Sequence, residues 1–235
     1  MPDRKMPGRR VRSYRTTFEG REDPISEGGI WVNGKTEGID WADVVIENGI
    51  AHGGKTKMSV AERRAEQGNL DASESAAPIG DYDDPTAVLT GNWGPNQHAT
   101  GKVFSRNQTD RYFQEVELRL RSTITPHSCT GYEVFWSCRK TDTAYAEIVR
   151  WEGPLCSYES LARRQGPEFG VKDGDVVEAT IVGNRITSYI NGVEVLSATD
   201  DRWASGSPGI GFNFGCGDTY VDHGFAWYEV DTYDD

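Results

Sequence analysis

Leucine is scarce in this chain, and long apolar runs are missing. Only seven of the 235 residues are leucine, whereas glycine and proline number 27 and 10. Leucine favours helices, while glycine and proline interrupt them, so this composition argues against a helical protein. No apolar run approaches the ~20 residues that a membrane-spanning helix needs. We therefore expect no membrane insertion.

Cysteine is also sparse, and its spacing excludes two kinds of site. None of the four cysteines forms a C-x-x-C pair, which disfavours zinc ribbons and thioredoxin-type redox chemistry. The sequence is compatible with two disulfides or with buried free thiols at Cys129, Cys138, Cys156 and Cys216. The first residues contain no apolar stretch typical of a secretory signal. The compartment stays open: extracellular or on a virion or cell surface if a signal has been removed, and cytoplasmic otherwise.

The net charge of −12 is distributed unevenly. Residues 1–15 hold six basic residues and one acidic residue, and we expect them to form a flexible leader. The acidic remainder, 16–235, is predicted to be one domain. An acidic body repels phosphate backbones, so we expect it to bind no nucleic acid. The basic leader is a candidate for contact with an acidic partner in a protein assembly.

From residue 101 to 225 the chain alternates apolar and polar side chains, which is typical of half-buried strands. In 113–121, Val116, Leu118 and Leu120 point one way. The opposite side is predicted to be a charged solvent face made by Glu115, Glu117, Arg119 and Arg121. Residues 131–139 and 144–151 repeat the pattern and are predicted to form a hairpin.

Further strands are indicated on both sides of this hairpin. Residues 175–182, 185–190 and 193–196 are joined by Gly183-Asn184 and Asn191-Gly192, two-residue connections that close antiparallel hairpins. Strands are also predicted at 209–214 and 224–230, with shorter ones at 29–32, 44–50 and 86–90. A polar stretch at about 55–80 is predicted to be a loop insertion. A dozen short strands with little helix indicate an all-β, two-sheet antiparallel sandwich.

One run of sequence resembles a known superfamily. The stretch from Gly174 to Val195, followed by Asp200 and by Ser207-Pro208-Gly209-Ile210-Gly211-Phe212, is similar to the concanavalin A-like jelly rolls. That superfamily includes laminin-G-like modules, lectins and many polysaccharide-processing enzymes. The resemblance extends more weakly over 17–230. It implies a jelly-roll fold and a carbohydrate partner, but it does not separate lectins from hydrolases, lyases or structural modules.

Carboxylates on the predicted solvent faces are the candidate catalytic residues: Glu117, Glu133 and Glu147. If Glu133 and Glu147 lie opposite each other on neighbouring strands, their ~5 Å separation suits a retaining glycosidase. Neighbouring arginines offer the alternative that the carboxylates simply form ion pairs. The segment Glu117-Leu118-Arg119 also resembles a motif of jelly-roll alginate lyases, although Glu115 replaces an arginine that precedes it there.

The same faces supply candidate ligand-binding side chains. Aromatic faces stack on sugar rings, and planar polar groups bond to hydroxyl pairs. The predicted set is Arg119, Phe135, Arg139, Trp151 and His98, the last of these in a turn-like context. No cofactor is required. An acidic loop with Asp81, Asp83 and Asp84 is a candidate for a structural calcium ion, because Ca²⁺ prefers oxygen ligands in loops.

These features lead to three hypotheses. The first is a carbohydrate-recognising sandwich, either a binding module or an enzyme for polysaccharides. The second is a non-catalytic structural or interaction module, such as a virion or surface-appendage component. The third is a glycoside hydrolase or polysaccharide lyase that uses Glu117, Glu133 or Glu147. Whether the protein is an enzyme is left open at this point.

Overall fold

A computed structural model describes residues 6–33, 41–54, 84–111, 113–214 and 219–234. These residues form fifteen strands, two short 3₁₀ turns and no α-helix. The first seven strands are β1 Arg10–Thr16, β2 Trp31–Asn33, β3 Val44–Glu47, β4 Ile50–Gly53, β5 Thr86–Leu89, β6 Asn96–Ser105 and β7 Gln114–Thr125. The next eight are β8 Ser128–Ser137, β9 Tyr145–Gly153, β10 Tyr158–Gln165, β11 Val176–Val182, β12 Arg185–Ile190, β13 Val193–Thr199, β14 Ser207–Phe214 and β15 His223–Tyr233.

The strands build two antiparallel sheets, as the alternating sequence predicted. Sheet A has the order β13-β12-β11-β6-β15-β4-β3, with β1 also paired to β15. Sheet B has the order β10-β9-β8-β7-β14-β5-β2. The described part of the chain contains no helix with the length and apolar character needed to cross a bilayer.

The main hydrophobic core lies between the sheets. Val116, Leu118 and Leu120 of β7 are fully buried there, beside Tyr132, Val134 and Trp136 of β8. This confirms the predicted inward faces of both strands. The meander is confirmed as well: β11, β12 and β13 are sequential neighbours. Its turns use left-handed backbone at Gly183 (φ 57°) and at Asn191 and Gly192 (φ 52° and 80°).

The sequence-based boundaries were wrong or incomplete in three places. Residues 44–50 are not one strand, because Asn48 and Gly49 turn the chain with positive φ between β3 and β4. The β10 strand was not predicted. The β6 strand begins at Asn96, which places His98 in a strand rather than in a turn. The predicted insertion at 55–80 lies outside the described residues.

The prediction of a flexible leader is wrong from Arg10 onward. Residues Arg10–Thr16 form β1, which pairs with β15 along sheet A. Arg10 Nη1 lies 3.3 Å from Asp231 Oδ1, and Arg15 Nη1 lies 3.9 Å from Glu229 Oε2. These basic side chains therefore face acidic residues of the same molecule. An assembly through the leader has no support in this arrangement.

The three described cysteines carry free thiols. Cys129 and Cys138 are buried, whereas Cys156 is exposed. Burial raises the pKa of the Cys129 thiol to about 11, although the nearby Arg119 guanidinium opposes that rise. The fourth cysteine, Cys216, lies outside the described residues.

Candidate functional site

Most of the candidate residues lie on the face of sheet B that points away from sheet A, which we call the outer face. Strand alternation places Glu117 and Arg119 of β7 there, opposite Phe135 and Glu133 of β8. Glu147 and Trp151 of β9 share this face, opposite Phe135 and Gly131. The predicted side of each strand is therefore correct. The predicted exposure is wrong, because Glu117, Arg119 and Glu133 are no more than 3% exposed.

Arg119 is the centre of a buried acidic cluster. Its Nη2 lies 2.7 Å from Glu133 Oε2, 3.0 Å from Asp84 Oδ1 and 3.5 Å from Glu117 Oε2. Trp151 Nε1 donates a second hydrogen bond to Glu133 Oε2 at 2.8 Å. A side chain at Gly211 of β14 would place its Cβ 2.2 Å from Glu117 Oε2. Because Gly211 has no side chain, there is room for the Glu117 carboxylate at this position.

Burial raises the proton affinity of these carboxyl groups, since charge is costly away from water. Desolvation raises the pKa of Glu133 to about 8, against the opposing charge of Arg119. The pKa of Glu117 is held well above its ordinary value by burial and by the charges of Glu133 and Asp84. Burial also raises the pKa of Glu115 to about 7, although Tyr145 donates a hydrogen bond to it. The cluster therefore retains protons at neutral pH.

Aromatic side chains cover the cluster. The ring of Trp41 meets that of Trp151 edge-on, with centroids 5.6 Å apart. These two rings belong to a second hydrophobic cluster on the outer face, with Cys129, Phe135, Tyr145 and Val149. The central part of the outer face is consequently a second, partly polar core. It is not an open groove.

The predicted catalytic pair does not form as expected. Glu133 lies opposite Val149, and Glu147 lies opposite Phe135, so the two glutamates are diagonal rather than directly paired. A diagonal pair is separated by ~7–8 Å at the backbone. Glu147 instead forms an ion pair with Arg163 of β10. Asp84, Glu117 and Glu133 come together instead, with one carboxylate oxygen of each within 4.8 Å of the others.

Other predicted residues are placed elsewhere. His98 lies in sheet A, where its Nε2 is 2.9 Å from Glu178 Oε2. Arg139 follows β8 and lies 3.8 Å from Asp110 Oδ1, with its guanidinium 5.5 Å from the centre of the Tyr145 ring. Arg121, predicted to be solvent-facing, turns inward and donates to the carbonyl oxygens of Pro95 and Gly183, which joins sheet B to a turn of sheet A.

The candidate calcium residues are only partly described, because Asp81 and Asp83 lie outside the described residues. Asp84 is 1% exposed and belongs to the buried cluster rather than to a solvated loop. The oxygen donors of Asp84, Glu117 and Glu133 suit a hard cation by type. However, all three approach the same nitrogen of Arg119. Because the guanidinium occupies that position, the three carboxylates do not also fit a metal ion.

An open cleft lies on the other half of the outer face, beyond β7. Its volume is about 600 Å³. Val88 and Val32, which pair with each other on β5 and β2, contribute to its apolar floor, together with Leu89 and Ile124. The polar part of the lining consists of Thr90, Asn92, Ser122, Thr123, Ser205 and Ser207. None of the described lining residues is charged.

Sequence reasoning missed this cleft. The hydroxyl residues belong to the loop after β5, the end of β7, the loop before β14 and the first residue of β14, so they are far apart in the chain. Ser, Thr, Asn and Gly in loops are ordinary turn residues, and they carry no signal of a binding site. Only the sheet order, which places β7, β14, β5 and β2 side by side, brings them together.

Comparison with known proteins defines the class of fold. No protein-family model and no curated protein matches the chain. Among solved structures, the carbohydrate-binding module CBM66 from Bacillus subtilis is 13% identical, with a TM-score of 0.52 over 90% of this chain and 97% of that one. A β-1,3-1,4-glucanase (lichenase) from a mouse hindgut metagenome has the same identity and TM-score over 94% and 99% of the two chains.

A third structure supports the same class. The endo-β-1,3-glucanase of Pyrococcus furiosus is also 13% identical, with a TM-score of 0.52 over 94% of this chain and 93% of that one. The fold is therefore the concanavalin A-like jelly roll that the sequence run resembled. At this identity, the similarity establishes the architecture alone.

Proposed function

We propose that the protein recognises carbohydrate and that the open cleft on the outer face of sheet B is its binding site. The observation that carries this proposal is the uncharged, hydroxyl-rich cleft of about 600 Å³. Its size lies within the ~300–1,000 Å³ range of small-molecule sites. The aliphatic floor offers contact to the C–H faces of a sugar ring, and the hydroxyl and amide groups around it match sugar hydroxyls.

The character of the lining favours a neutral saccharide. A charged sugar would need a compensating charge in the cleft, because unpaired charges are costly to desolvate. The guanidinium of Arg12 is held beside the cleft and is not part of its lining: it stacks over Trp93, 4.0 Å from the ring centre, and donates to Thr90 O at 2.8 Å. The similar structures include a carbohydrate-binding module and two glucanases, which supports a saccharide ligand for this fold.

The predicted ligand-binding residues have a different role in this proposal. Arg119, Phe135 and Trp151 are buried, so we assign them to the framework that holds β7 and β8 beside the cleft. The side chains expected to touch the sugar are Asn92, Thr123 and Ser205, which are exposed.

Blocking the cleft tests the proposal. The protein is screened against a glycan array and a panel of neutral polysaccharides, and Thr123→Trp is compared with the unchanged protein. The indole should fill the cleft and abolish binding. Thr199→Trp is the matched control, because Thr199 is also an exposed strand threonine but lies on β13 of sheet A. Silence of the whole panel, or equal losses in both variants, would overturn the proposal.

A catalytic role of the buried cluster is a second candidate. Its support is the approach of three carboxyl groups within 4.8 Å, with a Glu133 pKa of about 8 that suits a general acid at neutral pH. Substrate would reach it only if the aromatic cover moved. Asp84→Asn, Glu117→Gln and Glu133→Gln should each lower the turnover of an identified polysaccharide at least a hundredfold if this role is real. Unchanged turnover in all three would exclude it.

A further inference from the structure

The open cleft begins where the alternation of β7 is interrupted. Arg119 lies on the outer face and Leu120 lies in the core, so an unbroken strand would place Arg121 on the outer face. Instead, Arg121 has left-handed backbone with φ 48°, and the register of β7 shifts at this point against both β8 and β14. A bulge of this kind re-aims a side chain. Arg121 therefore leaves the outer face, and Ser122, which pairs with Ser207, lines the cleft.

Two glycines from other parts of the chain make room for this bulge. A Cβ at Gly131 of β8 would lie 2.6 Å from the Cα of Ser122. A Cβ at Gly206, in the loop before β14, would lie 2.3 Å from the carbonyl oxygen of Arg121. Both distances are too short for any residue with a side chain. The irregular backbone is therefore accommodated from two sides, and such backbone is common next to binding sites.

The redirected side chain of Arg121 binds the backbone of both loops that line the cleft. Its guanidinium donates to Pro95 O at 2.7 Å, in the loop before β6, and to Trp203 O at 3.0 Å, in the loop before β14. It also donates to Gly183 O at 2.8 Å, in the turn between β11 and β12. Since a guanidinium holds its donors in one rigid plane, these three bonds fix the relative positions of the segments.

A second buried side chain, that of Gln97 on β6, joins the same segments. Its Nε2 donates to Gly94 O at 3.1 Å and to Gly206 O at 2.9 Å, so it binds both loops of the cleft. Its Oε1 accepts a hydrogen bond of 2.9 Å from the backbone N of Arg121, within the bulge. Gln97 is fully buried, and buried hydrogen bonds are costly to leave unmade. The two loops and the bulge are therefore connected twice, by independent side chains.

The side chains expected to touch the sugar are close in sequence to these connections. Asn92 and Ser205 each lie within two residues of a carbonyl group that Gln97 binds. Thr123 follows Arg121 by two residues. Groups that are fixed before a ligand arrives lose less conformational entropy on binding, which increases affinity.

We propose that Arg121 and Gln97 are positioning residues of the carbohydrate cleft, which hold its two loops and the bulge of β7 in the arrangement that binds an uncharged sugar. This inference rests on the proposed function, since it takes the cleft as the binding site. The bulge also keeps the guanidinium of Arg121 off the outer face. That placement agrees with the uncharged lining of the cleft.

Arg121→Lys and Gln97→Leu test the proposal. The first keeps the positive charge but loses the planar fork of donors, and the second keeps a similar volume but loses all three hydrogen bonds. The amides of Gly94 and Trp203 donate to the hydroxyl groups of Thr232 and Tyr132, and in both variants they should exchange hydrogen about tenfold faster or more. Amides in the middle of β8 and β9 should remain protected.

Affinity is the second measurement. Dextran, laminarin and mannan are titrated calorimetrically at a temperature at which the variants remain folded. Whichever of these uncharged polysaccharides binds the unchanged protein should bind each variant about tenfold more weakly. Ser137→Ala is the matched control, because Ser137 is also buried and bonds to the backbone N and O of Tyr145, at the other end of β8. It should lower stability but leave the affinity and the exchange at Gly94 and Trp203 unchanged.

Three outcomes would overturn the inference. Equal effects of Ser137→Ala and the two variants would show a general structural role. Unchanged amide exchange at Gly94 and Trp203 would show that the loops are held without Arg121 and Gln97. Faster exchange with unchanged affinity would show that the positions of the loops do not matter to the ligand. Failure of all three polysaccharides and of the wider panel to bind would instead count against the proposed function, while faster exchange confined to the loops would still support the positioning role.

Discussion

Polar side chains are buried in one half of the outer face of sheet B and surround an open cleft in the other half. Over β7, β8 and β9, charged groups are buried beneath Trp41 and Trp151 and bond to one another. Over β14, β5 and β2, uncharged hydroxyl groups surround an open cleft. One face of one sheet thus contains a closed ionic core and an open neutral site. The buried charged groups therefore contribute to the stability of the fold, whereas the uncharged hydroxyl groups are available to a ligand.

Buried ionic groups and exposed hydroxyl groups respond differently to substitution. Removing one partner of a buried ion pair leaves an uncompensated charge, which is strongly destabilising. Removing an exposed hydroxyl group changes stability little, but it removes a contact to a ligand. Substitutions in the two halves should therefore separate stability from binding.

Arg119→Ala should have the largest effect on stability. The variant leaves Asp84, Glu117 and Glu133 buried around the position of the lost guanidinium. We expect a loss of about 3–5 kcal/mol in the free energy of unfolding, measured with urea at pH 8. The loss should be smaller at pH 5, because protonated carboxyl groups repel one another less. Arg202→Ala, at a side chain that is 60% exposed, is the control and should cost less than about 1 kcal/mol. A loss of under 1 kcal/mol for Arg119→Ala would mean that the cluster is not an ionic core.

Stability should fall as the pH rises from 5 to 8. Burial raises the pKa of Glu115 to about 7 and that of Glu133 to about 8 in the folded protein, while both are near 4.5 when unfolded. The folded state then holds more protons than the unfolded state in this window. The contribution of these two groups to the free energy of unfolding is fully present below pH 4.5. It is lost as the pH rises through about 7 for Glu115 and about 8 for Glu133.

The expected loss between pH 5 and 8 is on the order of 3–5 kcal/mol, measured by urea unfolding at unit pH steps. Glu133→Gln removes one of the two groups and should reduce the slope by about half. Glu19→Gln, at an exposed glutamate just after β1, is the control and should change the slope far less. A stability that rises across this window would contradict the assignment of protonated carboxyl groups to the cluster.

The fold was largely predictable because alternation reports which side of a strand each residue occupies. Val116, Leu118 and Leu120 indicated the inward face of β7, and Asn191-Gly192 indicated a hairpin, since both signals are local. The missed turn at Asn48-Gly49 carried the same signal inside a run that otherwise resembled one strand. Strand β1 was missed because its basic residues suggested a solvated leader, whereas their partners, Asp231 and Glu229, lie more than 200 residues away.

The candidate site was predictable only in part, because alternation does not determine whether a polar face is exposed. Glu117, Arg119 and Glu133 were placed on the correct side, but the aromatic cover that buries them comes from Trp41, a residue far from them in sequence. Neighbouring arginines in the sequence offered ion pairing as the alternative, and Arg119 does pair with Glu133. The cleft depends on the order of strands in the sheet, which no local pattern specifies.

Ser205→Ala should have the smallest effect on stability, and it should change only the affinity for the ligand. Ser205 is exposed at the cleft, and removing its hydroxyl group should change the free energy of unfolding by less than about 0.5 kcal/mol. Loss of one hydrogen bond between neutral groups should weaken the binding of the neutral glycan identified in the panel by about three- to tenfold. Ser13→Ala, at an exposed serine of β1 in sheet A, is the matched control and should leave both quantities unchanged. A large loss of stability with unchanged affinity would place Ser205 with the ionic core, and the division of the outer face into a closed half and an open half would fail.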